Sequence, residues 1–423
     1  MIPRSLADWL DYQQRTHPDS IALGLDRVRE VWRRMGAPVP APTVVTVGGT
    51  NGKGSSVAFL EAICAAAGKR VGAYTSPHLL RYNERARIDG ADIDDAGWID
   101  AFERIESARG EIELTYFEFG TLAALWRFAQ ARLDVAILEV GLGGRLDAVN
   151  LVDADASIVT TIDLDHQDWL GNDRDSIGRE KAGIFRAGRP AIVGELDPPA
   201  GLLDAARAIG ADLVRAGRDY AWQRVGERWR WQCGTTTLDL PLPALGAPVQ
   251  FANASAAIAV VHALRGRLGW HERAIAEGIA RAQASARLQR VAREPDVFVD
   301  VAHNPQAARA LAQWLAATPA RGRTFAVFGA LGDKDVAGVV AALDGRIDRW
   351  FPAALDADSP RGLSAQALGE RMAALPHERV APVSANVRDA LASAQAQARA
   401  DDRVVAFGSF FVAAAVLAAS GGG

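Results

Sequence analysis

Short apolar runs recur along the chain, separated by alanine-rich stretches in which apolar residues return every three to four positions. The runs Val44–Val47, Val71–Thr75, Val135–Val140, Ser157–Ile162 and Ala191–Val193 read as strands. The intervening stretches Ser55–Ala67 and Phe117–Arg132 read as helices. Continuous apolar strands alternating with helices predict a parallel sheet covered on both faces, and so an α/β fold. Sheets of this kind take their ligands beyond the carboxyl ends of the strands. Two glycine-rich stretches lie at such ends, Gly48–Gly54 and the turn in "EVGLGGRLD", Glu139 to Asp147.

The pattern changes at Tyr220–Leu240, where aromatic residues alternate with polar ones, which predicts antiparallel hairpins. Helices follow near Asn253–Leu268 and His271–Ala284. A second strand-helix series then begins in "DVFVDVAHNPQAARALAQWL" and continues through "TFAVFGALGDKD" and "DRVVAFGSFF". The expected organisation is a domain over residues 1–284 with a small β insertion near 219–241, a linker over 285–294, and a smaller Rossmann-like α/β domain over 295–423.

Length fits this picture, since 423 residues suggest two or three domains. A net charge of −4 argues against a protein that coats nucleic acid. Only Cys64 and Cys233 occur, in unrelated contexts, which fits a reducing compartment without disulfides or structural zinc. The first twenty residues lack the apolar core of a secretory signal. The apolar stretch Val404–Ser420 is short and is broken by Gly408-Ser409, so it reads as a buried strand, a tight turn and a buried helix. The expectation is a cytoplasmic monomer with no membrane segment and a frayed Gly421–Gly423 tail.

The stretch "VTVGGTNGKGSSVAF", Val45 to Phe59, carries the first candidate chemistry. Strand, glycine-rich loop, Lys53 and helix follow in the order of a phosphate-binding loop. Such a loop turns backbone N–H groups inward and adds the positive end of the following helix. It departs from the usual motor-type pattern: Val47 stands where a glycine is expected, and Gly54 separates Lys53 from Ser55. With Ser55 displaced, magnesium needs ligands from elsewhere. Ser76, Glu139 and His166 each follow or end a neighbouring strand, and together they suggest a magnesium site.

The motifs "GTNGKGS", "TSPHLLRYNERARI", "LTYFEFGTLAALW", "LEVGLGGRLDAVN", "DHQDWLG", "IGREKAGIFR", "DVAHNP" and "FGSF" resemble those of the folylpolyglutamate synthases, above all the bifunctional dihydrofolate synthase/folylpolyglutamate synthases of bacteria. The resemblance spans almost the whole chain, in the family's order. These enzymes are Mur-type amide ligases, whose phosphate loop commonly reads Gly-Thr-Asn-Gly-Lys. The resemblance implies a P-loop-type ATPase domain followed by a glutamate-binding ligase domain, and ligation of L-glutamate to dihydropteroate and tetrahydrofolate through an acyl phosphate.

By this resemblance, Thr50, Asn51, Gly52 and Lys53 cradle ATP, with Asn253, Arg287 and Asp300 completing its site when the domains close. Ser76, Glu139 and His166 match magnesium ligands, of which two ions are expected. Lys181 matches a lysine carried as a carbamate that helps hold the second ion. Ala22, Leu23, Thr115, Leu146, Asp147 and Ala148 match dihydropteroate contacts, and His303 and Ser409 are candidates for the glutamate site. Some relatives have Asp where this chain has Ala22, and His or Tyr where it has Phe411. Asp147 has two readings: a carboxylate for the donor edge of a pterin, or a loop residue capping the next helix. Two functional alternatives stand beside the main one: a folylpolyglutamate synthase without dihydropteroate activity, and a nucleotide-dependent binding protein that is not an enzyme.

Overall fold

A computed structural model describes residues 3–17 and 21–421, so the last two glycines of the expected frayed tail lie outside the described residues. The chain divides into two compact units. The first runs to Ala244 and takes in Phe251–Gln283; the second takes Leu245–Gln250 and everything from Ala284 onward.

The first unit is built on an eight-stranded sheet. Its strands are β1 (Thr43–Gly48), β2 (Val71–Tyr74), β3 (Ala86–Ile88), β4 (Ala91–Asp92), β5 (Val135–Glu139), β6 (Ala156–Val159), β7 (Pro190–Val193) and β8 (Asp212–Arg215). They lie in the order β4-β3-β2-β5-β1-β6-β7-β8. Only β3 runs against the others, so its pairings with β2 and β4 are antiparallel. The strands β1, β2, β5 and β6 are buried along their whole length, as their unbroken apolar runs require.

Strand β6 stops at Val159, three residues before the expected end. Thr160 to Asp163 leave the sheet because their polar groups bond to the glycine-rich loop after β1. A separate antiparallel sheet follows, with β9 (Tyr220–Val225), β10 (Arg228–Cys233) and β11 (Thr236–Pro241) in the order β11-β10-β9. Its alternation is the one the sequence displays: Trp229, Trp231, Leu238 and Leu240 are buried, while Arg228 and Arg230 face out. The helix expected over Asn253–Leu268 is two helices, Gln250–Ala263 and the single turn Arg265–Leu268. The next helix, Glu272–Arg281, begins where the His271 ring accepts the Ala274 N–H.

The second unit has a five-stranded sheet of β12 (Gln289–Ala292), β13 (Asp296–Val299), β14 (Thr324–Phe328), β15 (Arg349–Pro352) and β16 (Arg403–Phe407). The order is β12-β13-β16-β14-β15, with only β12 antiparallel. The segment expected as a linker therefore supplies an edge strand, because Gln289–Ala292 pairs with β13 across a bulge. The last helix, Phe410–Ala419, buries Val412, Ala413, Val416 and Leu417 but leaves Phe411 exposed, so it is buried on one side only. Among the described residues, no helix is long and apolar enough to cross a membrane.

Candidate active site

The glycine-rich loop leaves the end of β1 and turns into the helix Lys53–Ala66. Gly52 sits at the helix start with φ +88°, a conformation that glycine adopts without strain. A Cβ there would also lie 2.4 Å from Asn253 Oδ1, so the loop approaches the helix Gln250–Ala263 more closely than any side chain permits. Gly49, at φ +141°, is pressed against Thr160 in the same way. Gly52, at the N-cap, has no side chain with which to cap this helix.

The loop is held from the β6 side. Thr50 N–H donates to Thr161 O (2.8 Å), and Asn51 N–H donates to Thr161 Oγ1 (3.0 Å). Thr160 Oγ1 donates to Asn51 O (2.6 Å), and Asp163 N–H donates to Thr50 Oγ1 (3.1 Å). The N–H groups of Thr50 and Asn51 are thus engaged by Thr161. Anion binding would draw on the loop from Gly52 onward. Lys53 folds its ammonium back across the loop, donating to the carbonyls of Gly49 and Thr50 at 3.1 Å each.

Strand order explains why residues distant in sequence meet here. Strands β2, β5, β1 and β6 are neighbours, so Ser76, Glu139, the phosphate loop and the segment from Thr160 all emerge along one edge. Ser76 N–H donates to Glu139 Oε2 (3.1 Å), and Glu139 is 5% exposed. His166 has φ +51° and starts the short helix Gln167–Leu170, its N–H donating to Asp165 Oδ1 (2.9 Å). Among the described residues, no group of three His, Cys, Asp or Glu converges as a ready metal cage. The Ser76 hydroxyl and the Glu139 carboxylate are oxygen donors of the kind magnesium takes, an ion that keeps waters and binds substrate phosphates, whereas the His166 imidazole is a softer donor.

Lys181 lies on the helix Arg174–Ala182 and is 3% exposed. Burial, and next the Lys53 ammonium, push its amine down to about 7, against the carboxylates of Asp165 and Asp147. Glycines make this proximity possible. A Cβ on Gly144 would lie 3.0 Å from Glu180 O, and one on Gly183 would lie 2.3 Å from the Arg145 Cβ, so the turn after β5 lies directly on the Lys181 helix.

Asp147 ends that turn. Its Oδ2 accepts Leu142 N–H (2.8 Å), its Oδ1 accepts Val149 N–H (3.0 Å), and it starts the one-turn helix Ala148–Leu151. The capping reading is therefore what the side chain does, and burial raises its carboxyl to about 6. Thr115 is likewise a cap: it exchanges hydrogen bonds with Glu118 at the start of the helix Tyr116–Gln130. Arg27 links these parts. Its Nη2 donates to Ala22 O and to Glu118 Oε1, both at 2.8 Å, while Gly24 N–H donates to Leu146 O (3.3 Å). Ala22, Leu23, Thr115, Leu146, Asp147 and Ala148 are thereby gathered into one region.

In the second unit, Asp300 follows β13 and accepts the N–H groups of Leu288 (2.9 Å) and Ala302 (2.8 Å). Burial raises its carboxyl, against the pull of the Arg287 guanidinium. Arg287 lies 5.9 Å from the centre of the Phe410 ring, and His303 packs against the same ring at 6.3 Å. Ser409 is 3% exposed and caps the last helix, its Oγ accepting the N–H groups of Phe411 and Val412.

Sequence reasoning missed Thr160, Thr161, Asp165, Arg27 and Glu118. The Thr-x-x-Glu spacing of Thr115 and Glu118 is a legible capping box. Nothing local marks Arg27 or the two threonines, whose partners are remote in the chain.

Comparison with known proteins agrees with this arrangement. Residues 47–261 match the Mur ligase middle domain, and residues 286–410 match the Mur ligase glutamate ligase domain. The chain is 48% identical to the dihydrofolate synthase/folylpolyglutamate synthase of Escherichia coli K12, over 97% of this chain and 94% of that protein. The solved E. coli protein in complex with DHPP and ADP superimposes with a TM-score of 0.93 at 47% identity, covering 99% of this chain and 98% of that one. A bifunctional folylpolyglutamate synthase/dihydrofolate synthase solved with Mn, AMPPNP and L-glutamate gives 0.91 at 47% identity, covering 99% of each chain. A parallel-sheet unit with a ligase-type phosphate loop, a second α/β unit, and identity of this extent assign the chain to the Mur ligases, within the bifunctional dihydrofolate synthase/folylpolyglutamate synthase family.

Proposed function

We infer that the chain ligates L-glutamate, at the expense of ATP, to dihydropteroate and to the γ-carboxylate of tetrahydrofolate glutamates. The observation that carries this reading is the convergence at one sheet edge of the phosphate loop, the Ser76–Glu139 pair and the buried Lys181. Relatives solved with ADP, AMPPNP, Mn and L-glutamate support a nucleotide and a divalent ion at such an edge.

A carboxylate does not acylate an amine unaided, because oxide is too poor a leaving group. Transfer of the γ-phosphoryl group to the substrate carboxylate gives an acyl phosphate, whose phosphate departs readily. Lys53 and the positive end of the helix it opens are suited to hold the phosphate charge during this transfer. Ser76, Glu139 and His166 would hold magnesium, which supplies charge neutralisation on the phosphates. In the second unit, Arg287 and Asp300 are suited to further nucleotide contacts, and Asn253 borders the loop at Gly52.

Lys181 suits carbamate formation for a physical reason. Only a neutral amine attacks CO2, and a pKa near 7 keeps a large neutral fraction where an ordinary lysine keeps almost none. The product is an anion beside Lys53, so repulsion between two ammonium groups becomes attraction. For the pterin we favour the region gathered by Arg27, where Thr115 and Asp147 act by shaping the backbone and Ala22, Leu23, Leu146 and Ala148 line it. The two cysteines are free, which fits a cytoplasmic protein, and we take the working form to be a monomer.

The test is ATP-dependent phosphate release with dihydropteroate and tetrahydrofolate supplied separately, each with and without L-glutamate. Release requiring glutamate with both substrates is the expected result. Release with tetrahydrofolate alone would make this a folylpolyglutamate synthase only, and ATP binding without turnover would point to a non-enzymatic binding protein.

A further inference from the structure

Arg87 stands on β3, beside β2, and its guanidinium works from two edges. One edge faces the helix Lys53–Ala66: Nε donates to both carboxylate oxygens of Glu61 at 3.2 Å, and Nη2 donates to Oε2 at 2.8 Å. The other faces the segment after β2: Nη1 donates to Thr75 Oγ1 (3.3 Å) and to Glu84 O (3.1 Å). Thr75 immediately precedes Ser76. Glu84 closes the far end of the same loop, its carboxylate accepting the N–H groups of Leu79 (2.8 Å), Leu80 (2.8 Å) and Arg81 (2.7 Å). One side chain thus grips both ends of the loop that carries Ser76, and is itself tied to the helix that starts at Lys53.

The Arg87–Glu61 pair is partly dry, its side chains 22% and 13% exposed. Burial opposes the Arg87 charge, and the carboxylates of Glu61, then Asp92 and Glu139, outweigh it. An ion pair at the surface needs one contact and is worth little. Here one planar fork serves two elements, a task for which the single ammonium of lysine has the wrong shape. The elements it joins are the two that address the same phosphates. Strand β1 ends at Gly48 and β2 at Tyr74, so the sheet ladder stops before either the phosphate loop or Ser76. Magnesium demands near-ideal geometry, and the separation of these two segments therefore governs how well it is held.

We propose that Arg87, braced by Glu61, is a positioning residue that holds the Ser76 loop in register with the phosphate loop. This rests on the ligase reading above and adds to it the residue that fixes the spacing of metal and phosphate. Arg87 acts through Thr75 and Glu84.

The test uses the full-length enzyme, with Mn²⁺ binding read by EPR in the presence of AMPPNP and the magnesium titration of turnover measured beside it. Arg87→Lys keeps a charge facing Glu61 but cannot also reach Thr75 and Glu84. Its Mn²⁺ affinity should fall by about 10–100-fold, the usual cost of losing a partner behind a metal ligand. The magnesium needed for half-maximal turnover should rise by the same factor, while affinity for ADP without metal stays near the parent's. Thr75→Val leaves the Arg87–Glu61 pair intact and should weaken Mn²⁺ binding in the same direction. Glu61→Gln should do so too, and combined with Arg87→Lys it should add little, because the two act as one unit. Parent-like Mn²⁺ affinity in Arg87→Lys would overturn the proposal, with or without a lower unfolding temperature. So would losses that add in full in the double variant, or an equal weakening of metal-free ADP binding. If the parent shows no glutamate-dependent phosphate release with either folate, the ligase reading itself fails, while the Mn²⁺ affinities still decide the role of Arg87.

Discussion

Gly52 and Asn253 stand so close that a single methyl group between them would meet Asn253 Oδ1 at 2.4 Å. The turn that opens the Lys53 helix is therefore packed against a side chain about two hundred residues later in the chain. Gly52→Ala should destabilise the protein by more than the ~1–2 kcal/mol that a left-handed alanine costs alone. Adding Asn253→Ala should return the steric part but not the backbone strain. Thermal unfolding of the three variants, with ATP titration calorimetry, checks this; full recovery in the double variant would mean that the φ of +88° contributes nothing.

Glu139→Gln should shift the magnesium titration of turnover upward and lower its plateau. The amide keeps an oxygen for the Ser76 N–H but loses the charge that draws a divalent ion. A magnesium dependence identical to the parent's would place the metal elsewhere.

Lys181 gives a pH expectation with a definite sign. Its amine is held near 7 when folded and near 10.5 when unfolded. The folded chain sheds this proton first, so uncarbamylated protein should gain stability as pH rises through that window and lose it as pH falls through 7. Carbamate occupancy, read by NMR with ¹³C-bicarbonate, should likewise rise through pH 7 and vanish in Lys181→Ala. A labelled signal that persists in that variant would exclude this lysine.

Arg27→Ala should raise the KM for both pterin substrates several-fold while changing kcat little, since Arg27 ties Ala22 to Glu118 and touches none of the phosphate loop. Steady-state kinetics with dihydropteroate and tetrahydrofolate decides the matter. A selective loss of kcat would make Arg27 part of the chemistry.

Asp147→Ala should cost roughly 1–3 kcal/mol for each buried N–H it leaves unpaired, read as a lowered urea midpoint. Both glutamate additions should fall together, because the turn between Leu142 and Val149 loses its anchor. Loss of dihydropteroate ligation alone would return Asp147 to the role of a direct pterin contact.

The architecture was legible because its signals are local: apolar runs, the glycine loop, and alternation over Tyr220–Leu240. Ser76 and Glu139 could be paired from strand ends alone, since parallel sheets bring such ends together. The edge strand Gln289–Ala292 was hidden because Gln289 and Arg290 are exposed and a bulge breaks the alternation. The caps formed by Asp147, Thr115 and Ser409 show another limit. Motif resemblance marks where a residue stands, but only hydrogen-bond partners tell whether its side chain faces a ligand or its own backbone.

The hold of Thr160 and Thr161 on Asn51 has a mechanical consequence. A flexible phosphate loop must be ordered by its ligand, and the lost conformational entropy is subtracted from affinity. Part of that order comes here from the protein's own hydrogen bonds, made by Thr160, Thr161 and Asp163 to Thr50 and Asn51. These three residues belong to the same short segment that continues to His166, five residues beyond Thr161. A shift of the loop would therefore be passed along that segment to His166, so the loop and the histidine would move as one piece, not two.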